Sequence, residues 1–426
     1  MEMLVFDRGQ DAVWPGRRLR IVVHDYSGHP FQVQLSRELA RRGHHVAHHH
    51  FQGFQTPKGA LVRSPQDPAT FSVEALNLGE PFQKYSFVRR RRQEIAYGEL
   101  AAERAAAFDP DIVVCSNLPL DPLRIIGRAC RARGIRFIVW LQDIYSMAMR
   151  KILPRKLPVV GNAVAGYFNL LERRTLREAD RVVSITEDFL PILADWGVGR
   201  ERVGVIENWA PLDEITPMSP DTAWAAEQGL AGRQIVLYSG TLGLKHDPAG
   251  IVALARAFAG RGDVAFVVVS QGPGADWLQA AKLREGLENL RILPFQPYAR
   301  FSEVLASASV VLAVIEPDAG IFSVPSKVLS YLAAGRPILL AVPVENLAAR
   351  TVLRAQAGLV VPPGDHAGLV DALGQMLDDN TRRERLGRNA RLHAERAFDI
   401  ETIGDKFERL WSDLGVPLAT PSRRAA

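Results

Sequence analysis

Cysteine is scarce: there are two in 426 residues, Cys115 and Cys130. Two thiols set among apolar residues exclude a disulfide framework and fit a reducing compartment. Long apolar runs are missing as well. No stretch reaches the roughly 18–20 uninterrupted apolar residues that a membrane span needs. The opening MEMLVFDRGQ has no basic region followed by an apolar run, so no signal peptide is expected. Gly-x-Gly-x-x-Gly is absent, which removes the dinucleotide fingerprint, and the lack of His-Glu-x-x-His removes the metalloprotease helix. A single basic run, Arg89 to Arg92, without a helix-turn-helix, zinc or RNA-binding pattern gives no reason to expect nucleic acid as a partner.

What remains is a folded chain of ordinary composition, 47% hydrophobic and 23% charged, long enough for two domains with separate cores. Its charge is uneven. Residues 1–211 carry 30 Lys and Arg against 23 Asp and Glu, and residues 212–426 carry 22 against 24. An anionic surface or acceptor would therefore meet the first half.

Strands and helices alternate along the whole length. Residues 1–18 form a leader without strong periodicity. LRIVVH (19–24) is a strand, DYSGHP a turn, and 31–42 a helix closed by Gly43. In a doubly wound domain this turn faces the ligand crevice, which places Ser27, Gly28 and His29 there. Val46 to Phe51 is the second strand. Five of the ten histidines fall within 44–50, but alternation puts His48 and His50 on one face and His49 on the other. With no cysteine nearby, packed or solvated histidines are expected rather than metal ligands. DIVVCS and IRFIVWL are buried strands around a helix over 123–133, and Asp109 and Asp111 precede the first of them, away from the crevice. Gln142 and Asp143 stand at the crevice end of the second. Asp143 is read either as a helix N-cap or as an acceptor-facing acid.

Two features suggest a lipid surface. Arg89 to Arg92 follow Phe82, Tyr85 and Phe87, and four cations in 150–156 precede fifteen uncharged residues, LPVVGNAVAGYFNLL (157–171). These are either packed and solvated helix faces or an interfacial patch on one side of the first domain. The proline-rich PLDEITPMSPD (211–221) is the clearest linker. Beyond it QIVLYSGTLGLK is a strand and Gly-rich turn, with Gly240 and Thr241 in the turn and Lys245 where it reaches a phosphate. AFVVVSQGPG repeats the pattern and puts Gly272 at the crevice.

The stretch Gly320 to Leu340 has a loop, an amphipathic helix from Ser326 closed by Gly335 and Pro337, and an apolar strand. Ser323, Ser326, Lys327 and the free N–H groups at the helix start suit a diphosphate; an ordinary surface helix with a polar N-cap fits equally well. The pattern Pro-Ser-Lys-x-x-x-Tyr-x-Ala-Ala-Gly-Arg-Pro-Ile-Leu (325–339), with Ile-Glu-Asn-Trp-Ala at 206–210, resembles the retaining GT-B glycosyltransferases of the large bacterial family 4-like group, which build lipid-linked cell-surface polysaccharides. The resemblance spans nearly all of 19–415.

It implies an α/β fold with two doubly wound, Rossmann-like domains: an acceptor- and membrane-facing domain at 19–211, a linker at 212–221 and a nucleotide-sugar domain at 222–395. A C-terminal helix at 396–415 would return to the first domain, ahead of a disordered tail at 416–426. It implies transfer from a nucleotide-sugar donor, in all expectation a UDP-sugar, to a lipid-linked or glycan acceptor, with retention of configuration and no metal or other cofactor. The enzyme would work in the cytoplasm, peripheral to an anionic membrane. The implied site joins Asp143 and Lys245 as catalytic groups to Gly28, Gly240, Thr241, Gly272, Phe295, Phe322, Ser323, Ser326, Lys327 and Ser330 on the donor, with Phe295 beside the base. Family members carry glutamates where this chain has Phe322 and Ser330, so the ribose contact is expected to be weakened, or supplied by Glu316 or Glu345. A nucleotide-sugar 2-epimerase and a degenerate nucleotide-sugar binding protein share the architecture and stay open as alternatives.

Overall fold

The computed structural model describes residues 18–54, 58–83, 86–156, 158–243, 246–316, 325–412 and 414. Two parallel sheets make up its frame. The first holds seven strands in the order β3-β2-β1-β4-β5-β6-β7. They are β1 (Arg20–Asp25), β2 (His45–Phe51), β3 (Phe71–Leu76), β4 (Ile112–Ser116), β5 (Arg136–Leu141), β6 (Arg181–Ser184) and β7 (Val203–Val205). The second holds six, β10-β9-β8-β11-β12-β13, formed by β8 (Gln234–Ser239), β9 (Val264–Val269), β10 (Leu290–Leu293), β11 (Val310–Val314), β12 (Ile338–Ala341) and β13 (Gly358–Val361).

Helices cover both faces of each sheet, so the central strands carry buried apolar runs: Ile21, Val22 and Val23 in β1 and all of β9 are buried. Both sheets reverse direction beside their first strand, between β1 and β4 and between β8 and β11. The crevices of a doubly wound sheet open at those points, beyond the carboxyl ends of the strands.

Two elements depart from the sequence reading. The edge strand β3, FSVEAL, was not foreseen: its exposed Ser72 and half-buried Glu74 break the apolar run that marks the central strands. VGVIENWAPL (203–212) reads as one strand, but only Val203–Val205 pairs. Beyond it Trp209 stacks on Trp140 with centroids 5.6 Å apart, and its indole N–H donates to Gln34 Oε1 at 2.8 Å. The chain leaves the sheet to become a core element between the domains.

The histidine cluster is structural in its contacts. His44 Nδ1 accepts from Leu19 N at 3.1 Å, His48 Nδ1 lies 2.9 Å from Ser36 Oγ, and His49 Nε2 lies 3.5 Å from Glu74. Burial pushes His48 down to about 3 and His49 to about 4, so both stay neutral at ordinary pH. Among the described residues no group of three or more His, Cys, Asp or Glu is arranged to hold a metal. Asp111 accepts from Arg20 N at 2.8 Å, at the end of the sheet opposite the crevice. The leader and the tail lie outside the described residues, apart from Arg18. The helix Ile400–Ser412 crosses onto the first sheet's domain, where Glu408 pairs with Arg42 at 2.7 Å and with His44 at 2.9 Å, and Phe407 packs on Trp140.

Candidate functional site

The helix Lys327–Ala333 is anchored by Tyr331, whose ring is wholly buried. Ser239 N donates to its hydroxyl at 3.0 Å, and that hydroxyl faces the carbonyls of Ser239 and Leu312 at 3.3 and 3.2 Å. One phenol thus locks the helix against the crevice end of β8 and the middle of β11. Lys327 then projects back over β8. Its ammonium sits 3.7 Å from the Tyr238 ring centroid and hydrogen bonds the Tyr238 hydroxyl. That hydroxyl donates in turn to the carbonyl of Thr241 at 2.9 Å.

Gly240 makes this approach possible. It adopts φ +132°, and a Cβ there would stand 3.0 Å from Lys327 Cε. A side chain would be strained and would push the lysine aside. Gly272, at φ +99°, opens the helix Pro273–Glu285. The helix is held close to the 240–243 turn, for a Cβ on Gly274 would lie 2.4 Å from the Leu242 carbonyl.

Facing these groups from the first domain is the turn after β1. Asp25 is fully buried at the strand end; it accepts from Ser27 N at 3.0 Å, from His29 N, and from Asn117 Nδ2 at 3.2 Å. Burial alone would raise its carboxyl, but hydrogen bonding and charge from His29 outweigh it and hold the pKa below the usual range. His29 Nδ1 lies 3.7 Å from Asp25 and 3.1 Å from Asn117 Nδ2. Gly28, at φ +76°, packs against 58–61: a Cβ would meet Leu61 Cδ1 at 2.7 Å, and its carbonyl accepts from Gly59 N at 3.0 Å. That segment brings Lys58 to the crevice, where it donates to the carbonyls of Phe51 and Gln52 at 3.2 and 3.0 Å.

Between the two sheets these elements enclose a cavity of about 590 Å³. The second domain contributes Gly240, Thr241, Phe295, Ser326, Lys327 and Ser330, and the first contributes His29 and Lys58. Thr241 and Phe295 also line a neighbouring space of about 990 Å³, together with Gly272. Seven of the residues singled out in the sequence, His29 among them, therefore share one cavity, and Gly272 lies in the adjoining one. Gly28 sits behind His29. Lys245, Phe322 and Ser323 lie outside the described residues. The helix runs only seven residues. Its dipole is correspondingly small, and the anion-binding part expected of it falls to the Lys327 side chain. His29 was legible as part of a strand-end turn, but no motif marks Asp25, Lys58 or Asn117.

Asp143 lines neither cavity. It follows β5, and its charge acts on Tyr145 and Glu172 instead. Glu172 is the residue that caps the helix Tyr145–Lys156, accepting from Tyr145 N at 3.0 Å and Ser146 N at 2.9 Å. Burial, aided by Asp143, still lifts Glu172 from 4.5 to about 7. A raised folded-state pKa stabilises the protein fully below the unfolded value, and that contribution is lost as pH rises through the folded one. The stability of this domain should accordingly fall between pH 4.5 and about 7 by an amount on the order of 3 kcal/mol. Glu172→Gln should flatten that slope; a parent whose stability is level across the window would refute the assignment.

Comparison with known proteins agrees with this geometry. Residues 29–209 match the "Glycosyl transferase 4-like domain" and residues 233–379 match "Glycosyl transferases group 1". The chain is 26% identical over 317 residues to the putative colanic acid biosynthesis glycosyl transferase WcaI of Escherichia coli, covering 72% of this chain and 75% of WcaI. It is 31% identical over 237 residues to the D-inositol 3-phosphate glycosyltransferase of Nocardia farcinica, covering 52% and 50%. Among solved structures, Anabaena HepE in complex with UDP and glucose superposes with a TM-score of 0.67 at 17% identity, over 93% of this chain and all of HepE. WaaG, a glycosyltransferase involved in lipopolysaccharide biosynthesis, superposes with a TM-score of 0.64 at 17% identity, over 92% of this chain. With both halves matched in order and the cavity at their junction, the chain belongs to the 4-like group of GT-B glycosyltransferases.

Proposed function

We propose that this glycosyltransferase moves a sugar from a UDP-sugar to a lipid-linked or polysaccharide acceptor, with retention of configuration and without a metal ion. The observation that carries the reading is the meeting of Lys327, the Gly240–Thr241 turn and Phe295 in one cavity, with His29 and Lys58 across from them. In this reading the uracil lies by Phe295 and the diphosphate lies over Gly240 beneath Lys327. As the glycosidic bond to phosphate breaks, negative charge grows on the leaving oxygen, and a fixed ammonium aimed there stabilises it. Lys327, with Lys58 and the expected Lys245, supplies the positive charge that a divalent ion supplies elsewhere. His29 orients the acceptor hydroxyl, the part first expected of Asp143. Ser330 lines the cavity and offers the ribose one neutral contact, worth about 0.5–1.5 kcal/mol against about 1.5–3 for a charged acceptor.

The membrane reading is supported by the helices Phe87–Ala107 and Gly161–Glu178. Arg91 joins them, pairing with Asp121 at 2.9 Å and lying over the rings of Tyr167 and Phe168. Val88, Val159 and Leu170 are 77%, 93% and 67% exposed, and Arg89 and Arg92 are exposed beside them. No helix among the described residues is long and apolar enough to cross a bilayer. Apolar side chains with flanking cations suit an interfacial patch, each cation adding about 1 kcal/mol near an anionic leaflet.

One assay tests the whole reading. Purified protein is mixed with UDP-sugars and anionic liposomes carrying a polyprenyl-linked acceptor, and turnover and flotation are both followed. UDP release that requires the acceptor, an axial product bond from an axial donor, and flotation that fades with salt are expected. Preference for GDP- or TDP-sugars, inversion, dependence on added metal, or flotation unchanged by Arg89→Ser/Arg92→Ser would each reject the corresponding part.

A further inference from the structure

The helix Lys327–Ala333 has a second cavity at its other end. Some 580 Å³ opens between the linker residues Pro217 and Met218, the Gly335–Arg336 turn and the helix Asn380–Ala397. Four guanidinium groups line it, those of Arg336, Arg383, Arg388 and Arg391.

Their partners are mostly neutral. Arg336 donates to the carbonyls of Met218 and Ala308, and its Nε is buried without a hydrogen-bond partner. Arg383 donates to the carbonyls of Met376 (2.7 Å) and Leu377 and to Asn380 Oδ1 (3.0 Å). Among the described residues neither forms an ion pair with a carboxylate, although Asp378, Asp379 and Glu384 act on Arg383 from nearby. Burial pulls both guanidinium groups below their ordinary range. Asp378 itself pairs with Arg261 at 2.7 Å. Arg391 pairs with Glu395 at 2.8 Å and Arg388 with Glu384 only at 3.9 Å. Glu384 is the one acid lining the cavity. A half-buried cation satisfied only by carbonyls carries an unrecovered desolvation cost, which a bound anion removes through charge-assisted, forked hydrogen bonds.

We propose that this cavity is a second anion site, taking a phosphate-bearing small molecule whose phosphate is held by Arg336 and Arg383 with Arg388 at the rim. The volume suits a small metabolite, and Pro217, Met218 and Leu392 offer its organic part an apolar wall. The site lies behind the donor cavity, separated from it by the length of one seven-residue helix, roughly 10 Å. Because the cavity is walled by the linker on one side and by the Asn380–Ala397 helix on the other, a bound anion ties the interdomain linker to the second domain. This goes beyond the donor reading and does not rest on it.

The test uses full-length Lys327→Ala, which weakens the donor cavity as a competing anion site, with pyrophosphate as probe. Calorimetry should report one bound anion, and amide exchange at 216–220 should slow on its addition. In Lys327→Ala/Arg383→Gln/Arg388→Gln the affinity should fall at least tenfold and the protection should vanish, with a cooperative ligand-free melting transition showing that the variant, which loses the Arg383 bonds to Met376 and Leu377, is still folded. Adding Arg336→Gln should abolish what remains. Equal affinity in the arginine variant, no binding in Lys327→Ala at millimolar pyrophosphate, or protection confined to residues outside 216–220 and 380–392 would overturn the proposal.

Discussion

Lys327→Ala should lower donor turnover by about 10²- to 10³-fold while leaving the fold intact. The size follows from losing one preorganised donor aimed at a developing anion, about 3–4 kcal/mol in the transition state. The lysine's ground-state contacts are smaller. Its ammonium over the Tyr238 ring, at 3.7 Å, is worth about 0.5–2 kcal/mol, and the anchoring of the helix belongs to Tyr331, which the substitution leaves alone. The melting temperature should therefore move by only a few degrees. Lys327→Arg should rescue poorly, because a planar, forked guanidinium does not reproduce the compact ammonium that sits over the Tyr238 ring. The kinetic split is informative. A loss carried mainly by kcat marks a contact that strengthens as the bond breaks, whereas a loss in KM alone marks uniform binding of the donor. Turnover within threefold of the parent would remove Lys327 from the diphosphate site.

The residues that proved easy to read are those whose role is fixed by local geometry. Strands buried on both faces announce themselves as apolar runs, so β1, β4, β5, β8 and β9 and the doubly wound order were legible before any coordinates. Gly240 and Gly272 were legible because a strand followed by glycine is where a backbone must turn tightly at a crevice. β3 was not, since an edge strand with Ser72 and Glu74 on its open face has no run to detect. Asp143 shows a different limit. Its position at the end of β5 is what a crevice residue should have, yet several strands end at each crevice and only some face the opposite domain. Which of them do is set by the packing of the domains on one another, and that information is spread over residues distant in sequence. Lys58 was invisible for the same reason: it reaches the cavity because Gly59 and Leu61 pack against Pro30 and Gly28, a contact without a motif. The arginines of the second cavity are likewise scattered over 336–391 and look in the sequence like ordinary surface charge.

Asp25→Ala should be the most destabilising single substitution in the first domain's crevice. The carboxylate has no solvent exposure, and three donors converge on it: Ser27 N at 3.0 Å, His29 N and Asn117 Nδ2 at 3.2 Å. Alanine leaves the two backbone N–H groups facing a void that no side chain refills, and stranding buried partners of a charged group costs about 3–5 kcal/mol. For a domain of this size, each kcal/mol corresponds to about 2–4 °C, so the first melting transition should drop by about 6–20 °C. Asp25→Asn recovers part of the loss, since one acceptor oxygen remains while the amide N–H₂ is set against donors. The pH dependence separates this account from a simple cavity. The folded-state pKa of Asp25 lies below 3.8, so its stabilisation is present above the unfolded value and disappears as pH falls through the folded one. The gap between parent and Asp25→Ala should be widest near neutrality and should narrow below about pH 4, whereas a packing defect would keep the same gap at every pH. Activity should fall further than stability alone explains, because the turn that Asp25 ties down is the one that carries His29 into the cavity. A variant that melts within 2–3 °C of the parent at pH 7, or a gap that is level from pH 7 to pH 3, would show that the carboxylate is not what holds the turn.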